Sequence, residues 1–574
     1  MKSKQSIAVA VAALVASLVL LGTGAFAQQT ATTWQVWVGS HYSGLQDYRE
    51  KVAEFDWATN SPEFAAKLSH TFGKNVLDVS GFYYDPERMA LSAAAGLGNW
   101  LKADVSYRSF YRRLQNDLME NLVVREAKDR TGSAPGGKMV THDNPAPAAT
   151  FGYTRRELNT KLEAQIPGLK MLKLRLEHRS ILEDGNEQHL AVMHCSSCHV
   201  EAIDMKVDRK THDVAAGADL DVGPVSISYT ARIRQFRDDA PIYEMKYDTA
   251  QHPVNGKFVE EFSSRELFSG QVVPINSPLQ VDQLSHVFKA KAHLGAGEIV
   301  ASAVTSNAKN KVKSLNLKTN AANVRLSYPL MRKVKVVAQG SYDRIENDPV
   351  FIDLPPWREG RPGGGQNFDW WRYSSLTRTN MEASAQVLYV HSRAVRFSVL
   401  GGVGRVTRDD YPYRGANGKT TTMKLRPELR LRPVHGLTAR LRYSVEVTDN
   451  PFAPYNYFFE RSGHSLTPLP GNSLVYYFQR DQLRYGNITS LPTLEQAVDL
   501  KLTFRQSSSL KLTAGVKASI GTNKDNKELS FQHRSLQPQF GLTLSPDSHW
   551  SLFLDYSLIL EDQNGLLSVP MMDG

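Results

Sequence analysis

Cysteine is almost missing from these 574 residues: there are two, Cys195 and Cys198, separated by two positions. Thiols that close cannot brace a chain of this size, so disulfide scaffolding is excluded. Long apolar runs are scarce as well. Past Leu21 no stretch could cross a bilayer as a helix and mean hydropathy is negative, which excludes a helical membrane protein. No internal repeat is present, so a propeller has no blade motif to build on. The formal charge of +10 comes without a nucleic-acid-binding motif, and nucleic acid is not an expected partner. No separate catalytic constellation is visible, so no enzyme activity is expected.

What is present begins with an export signal. Lys2 and Lys4 precede an apolar run from Ile7 to Leu21, and Ala25-Phe26-Ala27 follows as a small-residue cleavage pattern. Residues 1–27 therefore read as a secretory signal peptide, and the mature chain from residue 28 is expected to leave the cytoplasm.

The two cysteines belong to Cys195-Ser196-Ser197-Cys198-His199, the attachment pattern of a c-type haem. Two thiols at this spacing can add to the two vinyl groups of one porphyrin, and the adjacent His199 can then ligate the iron. One covalent haem c held by Cys195, Cys198 and His199 is the expected cofactor. Three other uses remain open: a thioredoxin-type redox pair, which would want a strand-helix-strand context; a zinc site recruiting His194; and a small disulfide. The sixth iron ligand is not fixed by the pattern, because His189, His194, His212, Met193 and Met205 all lie nearby. The stretch from Gln188 to Asp204 lacks Gly and Pro, which predicts local helix.

Most of the chain alternates apolar and polar residues with period two. Leu172, Leu174 and Leu176 face one way, with Lys173, Arg175, Glu177 and Arg179 the other. Leu425, Leu429 and Leu431 alternate in the same way with Arg426, Glu428, Arg430 and Arg432, as do Leu441, Tyr443 and Val445 with Arg440, Arg442 and Glu446, and Val498, Leu500 and Leu502 with Asp499, Lys501 and Thr503. Tight turns are legible at 72–75, 96–99, 167–168, 223–224, 295–297, 392–394, 434–436, 506–509 and 545–548. Between them lie longer connections at 111–150, 181–217, 237–282, 344–375 and 450–491.

About twenty strands of roughly ten residues, with short turns on one side and long loops on the other, predict an all-β fold. The form expected is a large antiparallel transmembrane β-barrel of about 20–22 strands, with 181–217 as a haem-bearing loop. Aromatic residues near strand ends (Trp34, Tyr42, Tyr107, Phe110, Phe151, Tyr328, Tyr342, Tyr389) would form interfacial girdles. The charged strand faces carry more Lys and Arg than Asp and Glu, so a basic lumen attracting anions or an acidic protein surface is expected.

A long barrel beside a haem motif resembles the porin components of porin-cytochrome conduits, the MtrB/PioB type. The resemblance rests on architecture over most of the mature chain. It implies residence in outer-membrane lipid, a periplasmic multihaem c-type cytochrome sheathed by the barrel, an extracellular cytochrome as further partner, and extracellular electron transfer. The porin of that family usually carries no haem, and this chain departs from it at Cys195-Ser196-Ser197-Cys198-His199. Two alternatives stand beside this reading: a soluble periplasmic β-rich monohaem redox carrier or sensor, and a diffusion porin whose cysteines form a small disulfide. Counting strands from Thr32, the last one rises at His549–Leu560, which leads to the expectation that about one further strand follows Gly574.

Overall fold

A computed structural model describes residues 30–42, 44, 60–85, 87–119, 141–194, 199–246, 271–352, 370–373, 377–408, 418–451, 458–461, 491–507, 509–524, 531–547 and 549–564. Among the described residues the chain is all-β and contains no helix. Residues 1–27, expected as a signal peptide, and the residues after Asn564 lie outside the described residues. Two compact units divide the chain, one holding residues 1–222, 228–286 and 308–314, the other residues 223–227, 287–307 and 315–574.

The first unit contains an antiparallel meander. Thr30–His41, Ser61–Phe72, Asn75–Asp85, Arg88–Leu97, Leu101–Leu114, Phe151–Gln165, Leu172–His194 and His199–Val222 each pair with the next. The second unit contains another, running through Leu315–Met331, Val334–Asn347, Arg378–Val390, Val395–Thr407, Lys419–Leu431, Leu437–Asp449, Leu494–Arg505, Leu510–Thr522 and Gln532–Leu544. The last of these pairs with both Leu552–Ser557 and Leu560–Asn564. The antiparallel class expected from alternation and short turns is therefore found, with many strands longer than the roughly ten residues expected, up to 24 residues in His199–Val222.

The short turns fall where glycine is needed. Gly73 has a φ of 61°, the left-handed region that a side chain disfavours, and it closes the turn between Phe72 and Asn75. Gly436 has a φ of 81°, and a Cβ there would run into the Arg505 carbonyl.

Register lines like residues up across strands. In the second unit Phe397, Leu429, Leu441, Leu500 and Val516 form one lateral apolar row, each directly opposite the next. One residue along, Glu428, Arg442, Asp499 and Lys517 form a row of alternating charge. Directly opposed pairs of either kind contribute roughly 0.2–1 kcal/mol each. The apolar row does not face a protein core. Leu425, Leu441, Val447, Val498 and Leu502 are exposed, as are Val387, Phe397, Val403 and Met423 in the same meander. In the first unit Leu174, Leu176 and Val214 are likewise exposed.

Candidate functional site

Among its described residues, the segment expected as a loop, 181–217, is instead strand. Alternation continues beyond Ile181: Leu172–His194 and His199–Val222 form one long hairpin, with Leu172 opposite Leu220 and His194 opposite His199. Over the described residues of 188–204 the predicted helix is likewise replaced by strand. The reason is legible in retrospect, since Ile203, Met205 and Val207 alternate with Asp204, Lys206 and Asp208. Absence of Gly and Pro permits a strand as readily as a helix.

Cys195 and Cys198 lie outside the described residues. His199 opens the returning strand, and its pairing with His194 brings the two chain ends that bracket the motif to neighbouring positions. A short strand, Thr141–Asp143, runs parallel to this end and pairs Thr141 with His199 and His142 with Val200.

The apolar face of the hairpin ends well before its tip. Leu220, Ala218, Ala216 and Val214 occupy alternate positions of one face, and the next positions toward the tip are His212, Lys210, Asp208, Lys206 and Asp204. His212 stacks on His178 at this boundary, with ring centroids 6.3 Å apart and planes at 6°. From His212 to His199 is thirteen residues, about 43 Å at a strand's rise of about 3.3 Å per residue.

The extension is braced from one side. Asn116, which has no exposed surface, donates to the carbonyls of Ala146, Pro147 and Ala149 at 3.2, 3.1 and 3.0 Å. Its Oδ1 accepts from Asn144 at 3.0 Å and from Gln188 of the hairpin at 2.9 Å. Gln188 in turn accepts from the Asp117 amide at 2.8 Å. Phe151, Met119, Ala191, Ala202, Met205 and Val207 are buried in this part of the first unit. Phe151 is 1% exposed and so is not a girdle residue, whereas Trp34, Tyr42, Tyr328 and Tyr389 are exposed. These bracing residues were not legible in the sequence, because an asparagine in a long connection carries no pattern.

On the polar face beyond the boundary, Lys210 bonds Asp239 at 2.6 Å, which raises its pKa above the ordinary lysine value against the opposing effect of burial. Burial would push Asp208 up, but hydrogen bonds from Lys206 and Lys210 outweigh it and hold the carboxyl below its usual range.

The candidate iron ligands are spread along the hairpin rather than gathered. Met205 is buried six residues from His199, about 20 Å away along the strand, and His212 is about 43 Å away. His189 is exposed, opposite Ile203 and four residue pairs from the motif. The charged faces are not bare basic surfaces either. Arg175 is paired with Asp219, Arg179 with Glu157, Arg234 with Asp213, Lys424 with Glu446, Arg430 and Arg442 with Glu428, and Arg440 with Asp499. Many of the cations counted along the strands are therefore ion-paired with neighbouring carboxylates.

No protein-family model matches the chain, and no curated protein matches it. Among solved structures it is similar to the FrpB iron transporter from Neisseria meningitidis, at 12% identity over 85% of this chain and 73% of that one, with a TM-score of 0.41. It is similar also to a ferric enterobactin receptor mutant from Pseudomonas aeruginosa in complex with enterobactin, at 9% identity over 93% and 76%, with a TM-score of 0.46. The alcaligin outer membrane receptor FauA from Bordetella pertussis gives 9% identity over 94% and 76%, with a TM-score of 0.36.

The class of the chain follows from its own surface. Monomeric soluble proteins do not expose apolar side chains in lateral rows across strand after strand. Antiparallel strands of about twelve residues, apolar and exposed on one face and ion-paired on the other, are the construction of an outer-membrane β-barrel, and that is the class of this chain.

Proposed function

We propose that the chain is a porin-like electron-transfer component of the outer membrane, carrying one covalent c-type haem at the tip of its long hairpin and sheathing a multihaem c-type cytochrome. What supports the reading is the pairing of His194 with His199, the two residues that flank Cys195 to Cys198 in sequence, at the end of a braced hairpin that runs far beyond the apolar face.

The donor set suits a haem. Cys195 and Cys198 would hold the porphyrin edge and His199 the iron, and the bound group would supply one-electron transfer. Met205 and His212 lie too far along the strand. His189, exposed and four pairs from the tip, is the ligand this spacing favours. The brace at Asn116 and Gln188 limits sway of the hairpin and so fixes the distance over which an electron must pass.

In this reading the charged strand faces line the lumen, where ion-paired rows offer a polar wall to a sheathed cytochrome. The long connections lie outside the cell, so the haem would extend a conduit toward external partners. Haem-stained gels of outer-membrane fractions test the proposal. The intact protein should stain, and Cys195→Ala/Cys198→Ala should insert normally without staining. An unstained native protein would leave a diffusion pore, and stain confined to the soluble periplasm would leave a periplasmic carrier.

A further inference from the structure

The first unit carries a second feature, independent of the haem. On the charged face, near one end of Asn75–Asp85, Arg88–Leu97 and Leu101–Leu114, lies a cavity of about 720 Å³. Four rings, Phe82, Tyr84, Phe110 and Tyr111, and three guanidiniums, Arg88, Arg108 and Arg112, line it. Register explains the opening. Ala90 sits directly between Phe82 and Arg108 on neighbouring strands, and its single methyl leaves space that a larger side chain would fill.

The three arginines are held differently. Arg88 lies over the Tyr84 ring, 5.7 Å from its centroid, and bonds Asp85 at 3.2 Å, so its charge is compensated. Arg112 donates to the Tyr153 hydroxyl at 3.2 Å. Arg108 lies 5.6 Å over Phe110 and has no carboxylate within ion-pairing distance among the described residues. Its register partner Glu157 is engaged elsewhere, by Arg179 at 2.8 Å and Arg155 at 3.8 Å. A guanidinium stacked on a ring keeps its in-plane N–H donors free, and that fork matches the two oxygens of a carboxylate.

The geometry points to a binding site for an aromatic carboxylate, whose anionic end meets Arg108 and whose flat body lies among Phe82, Tyr84 and Phe110. Rings favour offset or edge contacts with such a body, and the cavity falls in the usual size range of small-molecule sites. A simple inorganic anion would use the arginine but not the rings.

The test uses the full-length protein in detergent, with 4-fluorobenzoate and the uncharged 4-fluorobenzamide as probes followed by fluorine NMR. Saturable binding of the benzoate is expected, with the benzamide about tenfold weaker, because the charge-assisted bond is lost. Arg108→Gln should weaken benzoate by about tenfold, while Arg396→Gln, an exposed arginine of the second unit, should leave it unchanged. Ala90→Leu fills the cavity and should abolish binding of both probes. Heat-modifiable migration reports whether each variant is folded. Benzamide binding as tight as benzoate, equal loss in both arginine variants, or no saturable binding by the parent protein would each overturn the assignment.

Discussion

Removing the side-chain amide at Asn116 should release the brace on the long hairpin without disturbing the sheet. Asn116→Ala withdraws the donor serving the carbonyls of Ala146, Pro147 and Ala149 and the acceptor used by Asn144 and Gln188. One NH2 group has two protons, so two of the three carbonyls are well served at any moment. Gln188 and Asn144 keep a second acceptor, the Asp117 carbonyl, at 3.0 and 2.8 Å. The net loss is therefore two donated bonds in a site with no exposed surface, plus two weakened ones. At about 1 kcal/mol for each net bond, and up to about 3 kcal/mol where a buried group is left without a partner, the brace should lose about 3 kcal/mol. That is somewhat over a hundredfold in its opening equilibrium. Hydrogen exchange on the protein in lipid nanodiscs reads this directly. The amides of Asp117 and Met119, which bond Gln188 Oε1 and Asp117 Oδ1, should exchange about a hundredfold faster. Amides of Lys419–Leu431, in the other unit, should not change. If the two loop amides speed up less than about threefold, or if both regions speed up together, the brace is not the local unit inferred from its bonds.

Two further outcomes are expected. His189→Ala should retain covalent haem stain but convert a low-spin absorption spectrum to a high-spin one, while Met205→Leu leaves the spectrum alone; an unchanged His189→Ala spectrum would remove His189 as iron ligand. Leu441→Arg, in the middle of the exposed apolar row, should lower unfolding stability in lipid vesicles by about 2–4 kcal/mol, whereas a soluble sheet would tolerate it within about 0.5 kcal/mol, so a neutral result would contradict a lipid-facing row.

Period-two alternation together with the short turns determined most of the strands, their antiparallel class and the two kinds of face. Leu172-Lys173-Leu174-Arg175 can bury or expose its apolar set only on one side of a sheet, and the pattern carries that information locally. Turns marked by Gly73, Gly168 and Gly436 were legible for the same reason, since a positive φ selects the residue on the spot. The haem motif is equally local, a spacing of five residues. What the sequence left open depends on contacts between distant positions. Whether 181–217 is loop or hairpin turns on the pairing of residues up to 42 positions apart, such as Arg175 with Gly217, and local alternation there was diluted by Gly185 and Asn186. The pairing of opposite charges on the polar faces depends on register, which sets Glu428 against Arg442 and Asp499 against Lys517. The brace on the hairpin joins Asn116 to Gln188 across 72 positions, and the arginine cavity exists because Ala90 falls between Phe82 and Arg108 on adjacent strands. Such juxtapositions have no period, because a single asparagine or alanine acquires its role only from the partners that folding brings beside it.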